Sequence, residues 1–125
     1  MSFKPCRHDL HTEGSAKQNL DDYDRLSQLV YTVANMAGMR ILNVTTNHVF
    51  ASPRTDFDGY SVLALITTSH ISLHTWPAYN YYMFDLVSCL PFDRLAVMNT
   101  LGGFFGQMPG EAEAKLAFPE LELIG

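Results

Sequence analysis

The spacing of hydrophobic residues changes several times along the chain, and each change predicts an element. From Asn19, a candidate N-cap with Asp21 and Asp22 in the first turn, Leu20, Tyr23, Leu26, Val30, Val33 and Ala37 recur every three or four positions. That spacing gathers them on one face of a helix that ends near Gly38. The period then falls to two. "RILNVTT" (40–46) sets Leu42 and Val44 against Asn43 and Thr45 and predicts a strand, and Pro53, Asp56, Asp58 and Gly59 make residues 50–59 a loop. "YSVLALIT" (60–67) predicts a strand apolar on both faces. "SHISLHTW" (69–76) alternates strictly and, after the turn signal Pro77-Ala78-Tyr79-Asn80, is followed by "YYMFDLVS" (81–88), which predicts a hairpin. Pro91 suits the first turn of a second helix with Leu95, Met98, Leu101 and Phe105 on one face, although Gly102 and Gly103 weaken its middle. "KLAFPELELI" (115–124) predicts a last strand, at an edge because of Pro119. Residues 1–18 are polar, with little periodicity, and predict no element.

A helix, a run of strands and another helix define an α+β fold: a two-layer sandwich with an antiparallel sheet packed on two helices. At 125 residues, 47% of them hydrophobic, the chain reads as a single domain, 1–125. Strand 60–67 and the Ile71/Leu73 face both call for cover, so dimerisation through the sheet is expected, giving a homodimer or a higher homo-oligomer. Net charge is −5 and the eight Lys and Arg are scattered, so no nucleic-acid partner is expected. The longest aliphatic run, Val62–Ile66, is too short to cross a bilayer, and the opening Met-Ser-Phe-Lys-Pro is not a signal peptide. The expectation is a cytoplasmic protein without a membrane partner. Cys6 and Cys89 form no CxxC pair and read as reduced thiols.

Candidate chemistry concentrates in "TTSHISLHTWPAYNYYMFDLVSC", 67–89. A turn centred near Tyr79 pairs residues whose numbers sum to about 158, which sets Ser69 opposite Cys89. Alternation puts His70, Ser72, His74 and Trp76 on one face and Ser69, Ile71 and Leu73 on the other. Ser69 and His74 therefore differ in parity. Either a kink at the start of the strand or chemistry on the backbone of Ser69 would bring them together. Three readings fit these residues: a hydroxyl or thiol nucleophile activated by histidine, a metal held by His70, His74 and Cys89, and ordinary packing on a half-buried sheet. No glycines of a nucleophile elbow surround Ser69, and HxxxH on a strand is a weak metal signal. No metal is expected, and on the residues alone the packing reading prevails.

The stretch "SHISLHTWP" followed by "DLVSC" resembles the prokaryotic-type S-adenosylmethionine decarboxylases, pyruvoyl enzymes of polyamine synthesis. "RH" at Arg7 and His8, the first helix, "HVF" at 48–50 and "GYS" at 59–61 match in order. The resemblance implies a proenzyme that cuts its own backbone between Thr68 and Ser69 by an N-to-O acyl shift and elimination. The products would be a β chain, 1–68, and an α chain, 69–125, whose new N-terminus is a pyruvoyl group made from Ser69. That carbonyl would form a Schiff base with a substrate amine and accept the electrons released as carbon dioxide leaves, so no external cofactor is needed. By the same resemblance, Ser61 and His74 assist self-processing, Cys89 donates a proton to the decarboxylated carbon, and Phe50 and Trp76 line a substrate pocket formed at a dimer interface.

Four features depart from the family pattern. Thr68 and Ala78 stand where glutamates are usual, Leu90 where a glycine is usual, and loop 51–58 is several residues longer. A buried carboxylate that binds a substrate's hydroxyls discriminates strongly, and its loss at Ala78 opens the choice of substrate. S-adenosylmethionine is the first expectation. The alternatives are a pyruvoyl decarboxylase of another amino acid, such as arginine or ornithine, and an unprocessed relative that serves as a binding or oligomerising protein.

Overall fold

A computed structural model describes residues 5–106. The predicted first helix is α1, Tyr23–Met36, three residues shorter at its start than the sequence pattern implied. Its N-cap is Asp22, whose carboxylate accepts the Arg25 N–H at 3.0 Å; Asn19 instead has a left-handed backbone (φ 65°) upstream of the helix. Leu26, Leu29, Val30, Val33 and Ala34 form the buried stripe, each contributing roughly 1–3 kcal/mol relative to exposure. Gly38 closes α1 with φ 73°, letting its N–H reach the Asn35 carbonyl and the Met39 N–H reach the Ala34 carbonyl. A left-handed residue is what this double closure requires, and glycine adopts it without strain.

Five antiparallel strands lie in the order β1-β5-β4-β3-β2 among the described residues: β1 (His8–Ser15), β2 (Ile41–Val49), β3 (Gly59–Ile66), β4 (Ser69–Trp76) and β5 (Tyr81–Ser88). A second helix, α2 (Arg94–Phe105), completes the α+β sandwich. β1 corrects the reading of residues 1–18 as structureless. Its core side is only Leu10 and Thr12, too little apolar content to register as alternation. β2 runs to Val49, three residues past the predicted strand. α2 begins at Arg94 behind the Asp93 cap, not at Pro91, and its buried residues are Val97, Leu101, Gly102 and Phe105; Leu95 is 67% exposed. The predicted strand at 115–124 lies outside the described residues.

Both helices cover one face of the sheet. Val62, Ala64, Ile66, Ile71, Leu73, Tyr82, Phe84 and Leu86 supply its core side, and Phe105 of α2 stacks on Tyr82 with ring centroids 4.1 Å apart. The other face is open. There Ser61, Leu63 and Leu65 of β3 adjoin His70, Ser72, His74 and Trp76 of β4, and Leu63 and Leu65 are about half exposed. β3 is thus apolar on both faces, and its outward face has no cover within one protomer.

The hairpin closes differently from the predicted register. Trp76 pairs with Tyr81 around four residues, Pro77–Tyr79 in a 3-10 turn and Asn80 in a left-handed conformation (φ 52°). Partners therefore sum to 157, and Ser69 faces Ser88 rather than Cys89. β3 and β4 are joined by only Thr67 and Thr68, since Ile66 pairs with Ser69.

Candidate active site

The bond between Thr68 and Ser69 lies at the end of that two-residue turn. Although one register step removed, Cys89 is tied directly to it: the Cys89 backbone N–H donates to the Thr68 carbonyl at 2.9 Å. Ser69 Oγ lies 3.3 Å from Nδ1 of His70. Thr68, Ser69, Ser88 and Cys89 line one side of a cavity of about 290 Å³ that Cys6 and Arg7 complete from the start of the chain. Thr68 Oγ1 is buried there without a hydrogen-bond partner among the described residues. A buried hydroxyl in that state costs about 1–3 kcal/mol, a cost that an acceptor beside it relieves. A pyruvoyl formed from Ser69 would bring carbonyl oxygens to that place, so the residues present fit such a group.

A second group of predicted residues gathers elsewhere. Ser61 and His74 are cross-strand partners, with Ser61 Oγ 2.8 Å from His74 Nδ1. Trp76 lies on the same face, its ring 6.2 Å from the His74 ring. Trp76 also lines a cavity of about 290 Å³ with Phe57, Tyr79, Tyr81 and Met83. A clamp fixes its rim. Arg54 pairs with Asp56 at 2.7 Å and lies 4.0 Å over the Phe57 ring, and the Tyr79 hydroxyl donates to Asp56. The Arg54 guanidinium holds the Asp56 carboxyl well below the usual carboxylate range. Phe50 is not part of this cavity. It is 72% exposed and packs on His48, which stacks on Tyr60.

Ser69 and His74 are not brought together within one protomer. They are five residues apart on β4, about 16 Å at the rise of a strand, and their side chains leave opposite faces. Neither a kink nor backbone chemistry removes that separation. Sequence reasoning weighed His70 only as a metal ligand and not as a partner of Ser69, though adjacency in "SH" was its signal, and missed Phe57, Tyr79, Tyr81 and Met83. No cluster of three or more metal-ligating side chains occurs among the described residues.

A polar network crosses the open face between the two groups. His11 contacts Asp85 through Nδ1 at 2.6 Å and Glu13 through Nε2 at 2.8 Å, and the Tyr81 hydroxyl donates to Glu13. Burial pulls the His11 pKa down, but hydrogen bonds and charge from Glu13 and Asp85 outweigh it, and the pKa stands above the usual histidine value.

A five-stranded antiparallel sheet backed by two helices, with Ser69 and His74 on β4 and Cys89 just past the end of β5, is a frame shared with one decarboxylase family. The sequence profile of that family, S-adenosylmethionine decarboxylase, matches residues 9–113, and the chain belongs to it. Among its relatives is an arginine decarboxylase proenzyme of Caldivirga maquilingensis, 41% identical over 70 residues, which are 56% of this chain and 50% of the relative. An S-adenosylmethionine decarboxylase proenzyme of Saccharolobus solfataricus is 36% identical over 72 residues, 58% of this chain and 52% of the relative. The chain spans about half the length of the curated relatives it matches. The crystal structure of the adenosylmethionine decarboxylase from Aquifex aeolicus superposes with a TM-score of 0.70 at 17% identity, covering 90% of this chain and 89% of the other, which establishes the shared fold.

Proposed function

We propose that the chain is a self-processing, pyruvoyl-dependent decarboxylase that cleaves itself between Thr68 and Ser69. The observation that carries this reading is the Cys89 N–H held on the Thr68 carbonyl beside the Ser69 hydroxyl. A hydrogen-bond donor on that oxygen stabilises the charge that develops when Ser69 Oγ attacks the carbonyl carbon. His70 Nδ1 is placed to accept the hydroxyl proton. The Thr68–Ser69 amide becomes an ester. Elimination then breaks the Ser69 Cβ–Oγ bond, releasing residues 1–68 with a carboxylate and leaving a dehydroalanine. Its imine tautomer takes up water and loses ammonia to leave the carbonyl group on residue 69. That group, once formed, supplies an electron sink for decarboxylation. In this reading Cys89 donates the proton to the product carbon, and Trp76 and Phe50 contact the substrate.

Two half-sites at opposite ends of β4 fit a homodimer packed face to face on the open sheet. A two-fold arrangement sets the Ser69–Cys89 end of one protomer beside the Ser61–His74–Trp76 end of its partner. The carbonyl group at the cut end of β4 then has to turn from the helix side to the open side to complete the site. Half-exposed Leu63 and Leu65 supply apolar surface for such packing.

S-adenosylmethionine is the proposed substrate. Arginine is a second reading, supported by Ala78 and by a relative, 41% identical over the matched residues, that bears the name of an arginine decarboxylase. Intact mass under denaturing conditions tests the cleavage: two pieces meeting at Thr68/Ser69, the second lacking a free amine, are expected. One persistent full-length chain would point instead to an unprocessed binding or oligomerising relative. Ser69→Ala is expected to stay folded and uncut and to lose at least about a thousandfold in activity. Carbon dioxide release from each amino acid decides the substrate, and turnover of arginine alone would overturn the first choice.

A further inference from the structure

The chain contains two cysteines, far apart in sequence and unrelated by any redox motif, yet both line the cavity at the Thr68–Ser69 bond. Antiparallel pairing of β1 and β5 explains this. Its last pair is His8 with Ser88; one step further Arg7 comes opposite Cys89, and Cys6 is the next residue. Diagonal neighbours on paired strands fall near the Cα separation of roughly 4.4–6.8 Å that a disulfide accepts. Regular alternation would turn these two side chains to opposite faces, so the link requires the chain to leave the ladder here. Both cysteines lie just past the strand ends, outside the ladder's geometric restraint. Cys6 is exposed, Cys89 is half-buried, and neither is in a disulfide. Cys6 also has a base at hand, with Sγ 3.2 Å from Nε2 of His8.

We propose that Cys6 is a peroxide-reactive thiol that closes a disulfide onto Cys89. Cys6 sulfur attacks one oxygen of hydrogen peroxide, its proton passes to His8, and the departing hydroxide takes up a proton to leave as water. The sulfenic acid formed on Cys6 is then attacked by the Cys89 thiol. The S–O bond breaks, an S–S bond forms and a second water leaves, so two thiols are oxidised by two electrons while one peroxide is reduced. The consequence for activity rests on the proposed role of Cys89. The disulfide removes that thiol, so oxidation reversibly halts decarboxylation. The disulfide itself requires only the geometry at the end of the sheet.

The test is peroxide treatment of the purified protein, followed by denaturing electrophoresis without reductant and by intact mass. If the chain is cut at Thr68/Ser69, Cys6 and Cys89 reside on different pieces, and oxidation is expected to join them into one species that dithiothreitol separates. If the chain is uncut, the mass is expected to fall by two hydrogens and the band to migrate faster. Cys6→Ser should abolish the link, and its carbon dioxide release, measured against its own untreated rate, should resist peroxide doses that silence the unmodified enzyme. His8→Phe should slow the link about tenfold without changing its end point. Two thiols that both still alkylate after peroxide, or a Cys6 oxide beside a free Cys89, would overturn the proposal. A link in a protein that releases no carbon dioxide from any substrate would sustain the disulfide and overturn the decarboxylase reading alone.

Discussion

His11 shows how a single side chain can make stability depend on pH. When protonated, both of its ring nitrogens donate, one to Asp85 and one to Glu13, so the folded state holds the proton more tightly than the unfolded chain. A raised folded pKa means that this contribution is fully present below the unfolded value of 6.5 and is lost as pH rises through the higher folded value. Between about pH 6 and about pH 9, Tm is expected to fall more in the natural protein than in His11→Gln. Calorimetric scans across that range check it, and parallel curves would refute the linkage. None of this was legible in the sequence, because His11, Glu13 and Asp85 meet only through the pairing of β1 with β5. Ser61 with His74, by contrast, follows once β3 and β4 are joined by a two-residue turn.

At the scale of elements, β3 depends on its first residue. A Cβ on Gly59 would lie 1.8 Å from the Thr75 carbonyl oxygen and 2.9 Å from its carbon, both backbone atoms of the neighbouring strand. Gly59→Ala is therefore expected to cost at least about 2 kcal/mol. It should also loosen the Ser61–His74 pair two residues along. Urea unfolding measures the first effect, and the second should slow self-processing more than Ser15→Ala does. The hairpin and α1 were readable because their apolar residues keep one period throughout. Elsewhere that signal failed for definite reasons. β1 fills its core side with one leucine and a threonine, and the register of β4 with β5 slipped by one because the turn spans four residues rather than centring on Tyr79. Asp22 and Asp93 cap their helices, while Asn19 and Pro91, chosen from residue type, lie outside them.

The whole molecule sets Ser69 and His74 at opposite ends of β4, and this makes the proposed dimer testable through activity. Ser69→Ala and His74→Ala should each be inactive when expressed singly. Co-expressed, they should regain about a quarter of natural activity, since half of randomly paired dimers are mixed and each mixed dimer holds one complete site of two. No recovery in a preparation shown to contain mixed dimers would rule out sharing across the interface. Ser69, His74, Trp76 and Cys89 and the opposite parity of Ser69 and His74 were legible in the sequence, whereas Phe57, Tyr79, Tyr81 and Met83 were not, because they meet Trp76 only through the folded turns.

The strand order bears on what cutting the chain does to it. Residues up to 68 contribute β1 at one edge and β2 and β3 at the other, while the hairpin of β4 and β5 is inserted between them. If the chain is cut between Thr68 and Ser69 as proposed, the shorter piece stays held from both sides by the longer, and each of its strands remains paired. The pieces cannot slide apart without opening the sheet. Assembly must precede the cut, because afterwards no tether guides the hairpin back into the gap. A matured protein that is unfolded must then reassemble by collision of two chains, so its recovery depends on concentration in a way that the uncut chain's does not.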